Sequence, residues 1–308
     1  NEGQVAIHSQ VTNFAIQYGS IPAIQLAHAG PKSGMQRPWF GNSYLGEEDM
    51  LRGDMPWTPV GPSTLPVAKG WSVPHAITVP EINDIIDDFV SAAGRALRAG
   101  YKILEIHGAH GYLIHSFLSP LTNKRTDAYG GSLQKRMRLA LDIPSAVRAI
   151  MPDDIPLFFR ISAIDGVKGG WTLDDSVVLS RLLASLGVDV IDCSSGGING
   201  SATATKNSKK EPGFQVPYAS YVRSQAEIPT MTVGLITHPV QAEKILLERH
   251  ADLIAIGREA LVNPNWPLKA AQTLGVKYPF NQLPPQAAWW LEKRLENSSF
   301  YIADKLEG

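Results

Sequence analysis

Apolar residues in this chain gather in short unbroken runs separated by stretches of helical period. The runs lie at Ile21 to Leu26, Ile103 to Ile106, Pro156 to Ile161, Val188 to Cys193, Pro229 to Val233 and Ala251 to Ile256. Continuous apolarity with β-branched enrichment is the pattern of strands buried on both faces, and it predicts a parallel sheet. Between the runs, Thr78 and Glu81 make a capping-box pair. Ile82, Ile85, Ile86, Phe89, Val90, Ala93 and Leu97 follow at helical spacing, and Gly100 stops the run. Thr172 with Asp175, then Val178, Leu179, Leu182, Leu183, Leu186 and Gly187, repeats the design. Further helices are predicted at Gln134 to Met151, Tyr218 to Ala226, Pro239 to His250 and Asn263 to Leu274, with Pro144 expected to kink or shorten the first. Near the N-terminus, Ile7, Val11, Phe14 and Ala15 mark the apolar side of another helix.

Six strand–helix units at roughly 30-residue spacing fit an α/β fold, either an open doubly wound sheet or a closed barrel, and periodicity does not choose between them. Residues 1–308 read as one domain. Residues 31–77 are rich in Gly, Pro and Trp with little periodicity; a loop of that length in a compact fold suggests a lid or wall over a site. Residues 276–308 read as a C-terminal tail.

Hydrophobic residues make up 44% and charged residues 19%, with a net charge of −1. That balance argues against a disordered tail and against nucleic acid or a membrane surface as partner. Cys193 is the one cysteine, so neither an internal disulfide nor a four-cysteine cluster can form from this chain. With no apolar run of about 18 residues and no signal-like leader, the expectation is a soluble, cytoplasmic protein.

The candidate chemistry begins at Glu105-Ile106-His107-Gly108-Ala109-His110-Gly111-Tyr112-Leu113, directly after a buried strand. A strand continued through it would point His107 and His110 to opposite faces. Gly108 and Gly111 permit a turn that brings both imidazoles and the phenol to one rim. Two neutral imidazoles there could grip a carbonyl oxygen, and Tyr112 could supply a proton. A structural histidine pair capping a loop stands as the alternative. A zinc site lacks a further ligand at familiar spacing, so no metal is expected.

The block from His107 to Ser132, with His107-x-x-His110-x-Tyr112, Phe117-Leu118-Ser119-Pro120 and Asn123-Lys124-Arg125-Thr126-Asp127-Ala128-Tyr129-Gly130-Gly131-Ser132, resembles the signature of the Old Yellow Enzyme family of FMN-dependent ene-reductases. Gln25-Leu26-Ala27-His28-Ala29-Gly30, Arg160, Ser194-Ser195-Gly196-Gly197, Val233-Gly234 and Ile256-Gly257-Arg258-Glu259 extend the likeness over Ile21 to Gly275. The resemblance implies a TIM (β/α)8 barrel of the FMN-linked oxidoreductase type. It also implies that NADPH or NADH reduces FMN, which then passes hydride to an α,β-unsaturated carbonyl or nitro compound. By the same resemblance His107 and His110 hold the activating oxygen and Tyr112 protonates the α-carbon. Gln25 bonds the polar edge of the flavin, Arg160 places charge near its pyrimidine end, Gly234, Gly257 and Arg258 hold the phosphate, and Ser195 and Gly196 shape the same region. Turn chemistry alone explains Ser195 and Gly196 nearly as well. The tail Leu283 to Arg294 resembles xenobiotic-reductase-like members, which implies a homodimer or higher homo-oligomer in which Trp290 reaches the partner's site; simple packing of Trp289 and Trp290 on the outer helices is the alternative. Trp57 belongs to a common family loop and reads as structural.

The sequence departs from the family at its start. Asn1 falls at the second crossover helix, so two of the eight family strands are expected to be missing and about six βα units remain. That leaves a longer protein, a companion segment supplied in trans, or a truncated barrel that acts as a non-catalytic binding or assembly module. The branch with a four-cysteine cluster and an added nucleotide domain, that of dienoyl-CoA reductase and trimethylamine dehydrogenase, is disfavoured by the single cysteine.

Overall fold

A computed structural model of the chain describes residues 1–200 and 210–297. In chain order its elements are α1 (Glu2–Gln17), β1 (Ala23–Leu26), α2 (Glu47–Leu51), β2 (Val60–Gly61), β3 (His75–Ala76), α3 (Val79–Arg98), β4 (Ile103–Gly108), α4 (Leu113–Leu118) and α5 (Leu133–Arg148). Then come β5 (Leu157–Ser162), α6 (Leu173–Ser185), β6 (Val190–Ser194), α7 (Val216–Ala226), β7 (Thr230–Thr232), α8 (Pro239–Leu247), β8 (Leu253–Ile254), α9 (Arg258–Val262), α10 (Trp266–Thr273) and α11 (Pro285–Asn297). The six main strands form one all-parallel sheet in the order β1-β4-β5-β6-β7-β8, each pair joined through a helical crossover, which makes the architecture a partial (β/α)n barrel.

Alternation along the strands divides the molecule into two chemical faces. Leu104, Ile106, Leu157, Phe159, Ile161, Ile191 and Cys193 are fully buried against the helix layer, where they meet Ile82, Phe89, Ala93, Met137 and Leu139. Burying each such side chain contributes about 1.5–3 kcal/mol, so this layer fixes the sheet. The intervening positions, Glu105, His107, Arg160, Asp192 and Ser194, are polar and face the barrel interior.

Both capping boxes form as the sequence predicts, with Thr78 accepting from the Glu81 N–H and Thr172 from the Asp175 N–H. One expectation needs correction and two need refinement. Pro144 does not shorten α5, which runs through it to Arg148; the buried face of Met137, Ala140, Ile143 and Val147 outweighs the roughly 3 kcal/mol that a proline costs inside a helix. The stretch from Asn263 to Leu274 holds only α10, while the separate short α9 begins at Arg258. On α1 the apolar side points outward, with Ile7, Val11 and Phe14 all more than 60% exposed. The face turned inward carries Thr12, whose hydroxyl donates to the Ala99 carbonyl, and His8, whose Nδ1 lies 2.7 Å from Tyr101 Oη. An amphipathic period reveals a stripe but not what covers it.

Candidate active site

Strand β4 carries His107 and ends at Gly108, so the chain turns one residue later than the first permissive glycine. His110 takes φ 61 and Gly111 φ 72, the left-handed region that a non-glycine residue occupies only when its surroundings hold it there. Three contacts hold His110. Its N–H donates to Ser162 Oγ at 2.9 Å, its carbonyl accepts from Lys32 Nζ at 2.7 Å, and its Nε2 lies 2.6 Å from Ser194 Oγ. The turn brings the three rings together, with His107 centred 5.1 Å from His110 and 5.2 Å from Tyr112.

Burial, followed by the positive charge of Arg160, lowers the His107 pKa to about 3. The same causes lower His110 as well. Both imidazoles are therefore neutral at ordinary pH, and each has one N–H to give. Because Ser194 Oγ donates to Gln215 Oε1, it accepts from His110, which makes Nε2 the protonated nitrogen of that ring. The Ala109 backbone lies against the His107 ring, but neither ring nitrogen makes a hydrogen bond of normal geometry, although both are buried. Polar atoms stranded in this way mark a place built for a ligand.

Behind the turn lies a wholly buried support that sequence reasoning missed. The Gly111 N–H donates to His115 Nδ1 at 2.7 Å, and His115 Nε2 faces Asp165 Oδ1 at 2.9 Å. Asp165 also accepts from Ser119 Oγ at 2.6 Å and from the Trp171 N–H at 2.8 Å. Burial opposes the ionisation of Asp165, but these bonds more than offset it and hold the carboxyl below its usual range. A faint signal existed in Gly170, where a Cβ would stand 2.4 Å from Asp165 Oδ2.

Lys32 was also missed as a site residue. It is 2% exposed, and its Nζ donates to the carbonyls of His110 and Gly197. Burial lowers its pKa to about 7; a neutral amine has two N–H groups, which match the two carbonyls. Lys32 thereby ties the loop after β4 to the loop after β6. The backbones of these loops touch directly, since a Cβ on Gly111 would stand 2.3 Å from the Gly197 oxygen, and one on Gly197 would stand 2.7 Å from His110 Cα.

A cleft of about 650 Å³ opens beside His110 and is lined by Arg160, Ser194, Ser195, Gly234, Gly257 and Arg258 among others. Its size falls in the range of small-molecule sites. Gln215, unforeseen in the sequence, braces its wall by accepting from Ser195 Oγ at 2.7 Å and donating to the Val233 carbonyl at 3.0 Å. Around Gly257 a Cβ would meet nothing within 4 Å, so the backbone there is open to a ligand. Gly196 does not line the cleft; its N–H donates to Ile164 O and its carbonyl accepts from Ser162. Gln25 sits apart on the exposed edge strand β1 and donates to Glu105 Oε2 at 2.5 Å. Trp290 is 70% exposed on α11, packed edge-on against Trp289 and away from the cleft of its own chain. Among the described residues no group of three or more His, Cys, Asp or Glu side chains is arranged to hold a metal, and no helix is long and apolar enough to cross a membrane.

Residues 1–276 match the family described as NADH:flavin oxidoreductase / NADH oxidase. The chain is 44% identical to an NADPH dehydrogenase of Halalkalibacterium halodurans over 258 residues, covering 84% of this chain and 68% of that protein. It is 41% identical to an NADPH dehydrogenase of Bacillus cytotoxicus over 275 residues, covering 89% and 72%. Among solved structures it resembles a 2-naphthoyl-CoA reductase in complex with 2-naphthoyl-CoA, with TM-score 0.75 and 25% identity, and it spans 89% of this chain but only 41% of that one. Morphinone reductase shares the fold, with TM-score 0.70 at 23% identity, over 89% of this chain and 71% of that one.

Proposed function

This chain belongs to the NADH:flavin oxidoreductase / NADH oxidase family, oxidoreductases that work through FMN with NADH or NADPH as reductant, and from that premise we propose that it reduces activated carbon–carbon double bonds. The substrate class is small α,β-unsaturated carbonyl or nitro compounds. One observation carries the reading: two neutral imidazoles and a phenol converge on one rim, and both nitrogens of His107 are buried without a hydrogen bond of normal geometry.

The donor set suits a flavin. Arg160 offers a guanidinium toward the cleft, Ser195 and Gly234 line it, and Gly257 and Arg258 present an open backbone and a cation where a phosphate is to be held. When bound, FMN supplies the hydride that it has taken from the nicotinamide. The residues of the chain do the rest. His107 and His110 donate N–H bonds to the activating oxygen and stabilise the charge that gathers there. Ser194 competes for the His110 donor and yields it to a ligand oxygen. Tyr112 holds a proton at Oη for the carbon next to the activating group. Gln25 would contribute to the flavin only by leaving Glu105, and Trp290 only by reaching the site of a second copy.

Stopped-flow absorbance of the yellow protein tests this reading. His107→Ala and His110→Ala should each weaken phenolic ligands. Tyr112→Phe should slow flavin reoxidation by an enone about a hundredfold while leaving reduction by NADPH unchanged. Equal rates and affinities in all three variants would remove the assignment, and a colourless protein that takes up no FMN would favour a binding module instead.

A further inference from the structure

The interior face of the sheet holds a charged cluster whose two carboxyls, Glu105 and Asp192, the reaction above leaves unused. Register places Gln25 opposite Glu105, and Arg160 opposite both His107 and Asp192. Asp192 Oδ2 lies 3.0 Å from Arg160 Nε, and Glu105 Oε2 accepts from Gln25. The remaining oxygens, Glu105 Oε1 and Asp192 Oδ1, are buried with no donor, yet the two side chains stand within hydrogen-bonding reach of each other. Two carboxylates cannot bond to one another without a proton, and a single proton satisfies both stranded oxygens.

We propose that Glu105 and Asp192 form a carboxylic acid–carboxylate pair that holds one proton between Glu105 Oε1 and Asp192 Oδ1 and so sets the charge behind Arg160. The pair positions the guanidinium and does not touch substrate. Burial is the largest cause raising the pKa of both carboxyls. Glu105 raises Asp192 further, whereas Gln25, Arg160 and the bond to Asp192 act the other way on Glu105, and Arg160 does so on Asp192, so the proton rests on the Asp192 side of the pair. The other groups facing the cluster add no charge: His107 on β4 is held neutral and Gln25 on β1 is an amide. With the proton in place one negative charge answers one guanidinium and the cluster is neutral. Without it, a net negative charge is buried behind the residue that faces the cleft, which is costly and cancels the attraction Arg160 offers to an anion.

The proton does not depend on the proposed function; its effect on a flavin does. Carbon-13 NMR of the side-chain carboxyls, followed against pH in the purified chain, tests the proton directly. Glu105 and Asp192 should lose one shared proton in a common step above the ordinary carboxylate range, as coupled groups do. In Glu105→Gln the amide donates to Asp192, whose resonance should then titrate at or below the usual range. Asp192→Asn should do the same for Glu105. Two carboxyls titrating independently in the usual range would overturn the pair, and the wild-type titration decides this even if a variant fails to fold. The midpoint potential of bound FMN reads the consequence. Wild type and Glu105→Gln should coincide below the step, and wild type should fall below the variant above it. Potentials that coincide throughout would sink the claimed effect on Arg160, whereas a chain that binds no FMN would count against the proposed function and leave the NMR result standing.

Discussion

The middle of the sheet and its flanks are built differently. Strands β4, β5 and β6 carry five or six residues each, sit on a fully buried helix-facing layer, and end in loops pinned by Lys32, His115 and Asp165. The flanks end in β1 with four residues and β8 with two, and Gln25 on β1 is exposed, as is Trp290 on α11 in the tail. Rigid geometry at the reacting rim therefore comes from the middle three strands, while the flanks contribute open surface. A site spread over both kinds of support should respond to mutation very unevenly.

The sharpest way to break that contrast is Asp165→Ala. It strands His115, Ser119 and the Trp171 N–H in a dry interior, and should lower stability by about 3 kcal/mol, read as a shift in the denaturant midpoint. A loss below about 0.5 kcal/mol would mean that the middle is not the rigid part.

Lys32→Met should cost about 2 kcal/mol, because two buried carbonyls lose their donors, and it carries a pH signature. The unfolded chain keeps the lysine proton up to about 10.5, whereas the folded chain releases it near 7. The unfolded state binds more protons between those values, so wild-type stability should gain a rising component with pH across that window, and the variant should lack it. Thermal melts of both proteins across the window measure the difference.

Ser194→Ala has a smaller expected effect and the opposite sign. With its acceptor gone, the His110 N–H is free for a ligand, and phenolic compounds should bind a few-fold tighter, worth about 1 kcal/mol by titration. Weaker binding would mean that Ser194 orients the ring rather than competing for it. On the flank, Phe14→Ser on α1 should change stability by no more than about 0.5 kcal/mol, since that side chain is 65% exposed.

The same contrast governs what could be read from the sequence. The strands of the middle were legible as unbroken apolar runs because the helix layer requires apolar side chains and the interior polar ones are few. The turn at His110 to Tyr112 was legible because Gly108 precedes it, Gly111 lies within it and the three rings are close in sequence. Lys32, Asp165 and Gln215 were not legible, since most of their partners lie between 18 and 165 residues away and none has a local pattern that separates it from an ordinary loop or helix-start residue. The outward orientation of α1 was not legible for a related reason: periodicity reports the stripe, and only the tertiary arrangement reports its neighbour. Gln25 fell between these cases, correctly placed on a strand but drawn to Glu105 by a contact that no local signal announces.

The contact between Gly111 and Gly197 has a practical outcome for anyone exchanging segments among relatives. Because the two turns meet main chain against main chain, with Lys32 stitched across them, neither can be transplanted alone. A graft of the segment after β6 has to bring a compatible 110–111 turn and a residue 32 able to cross-link them, so the three behave as a single heritable module despite lying far apart along the polypeptide.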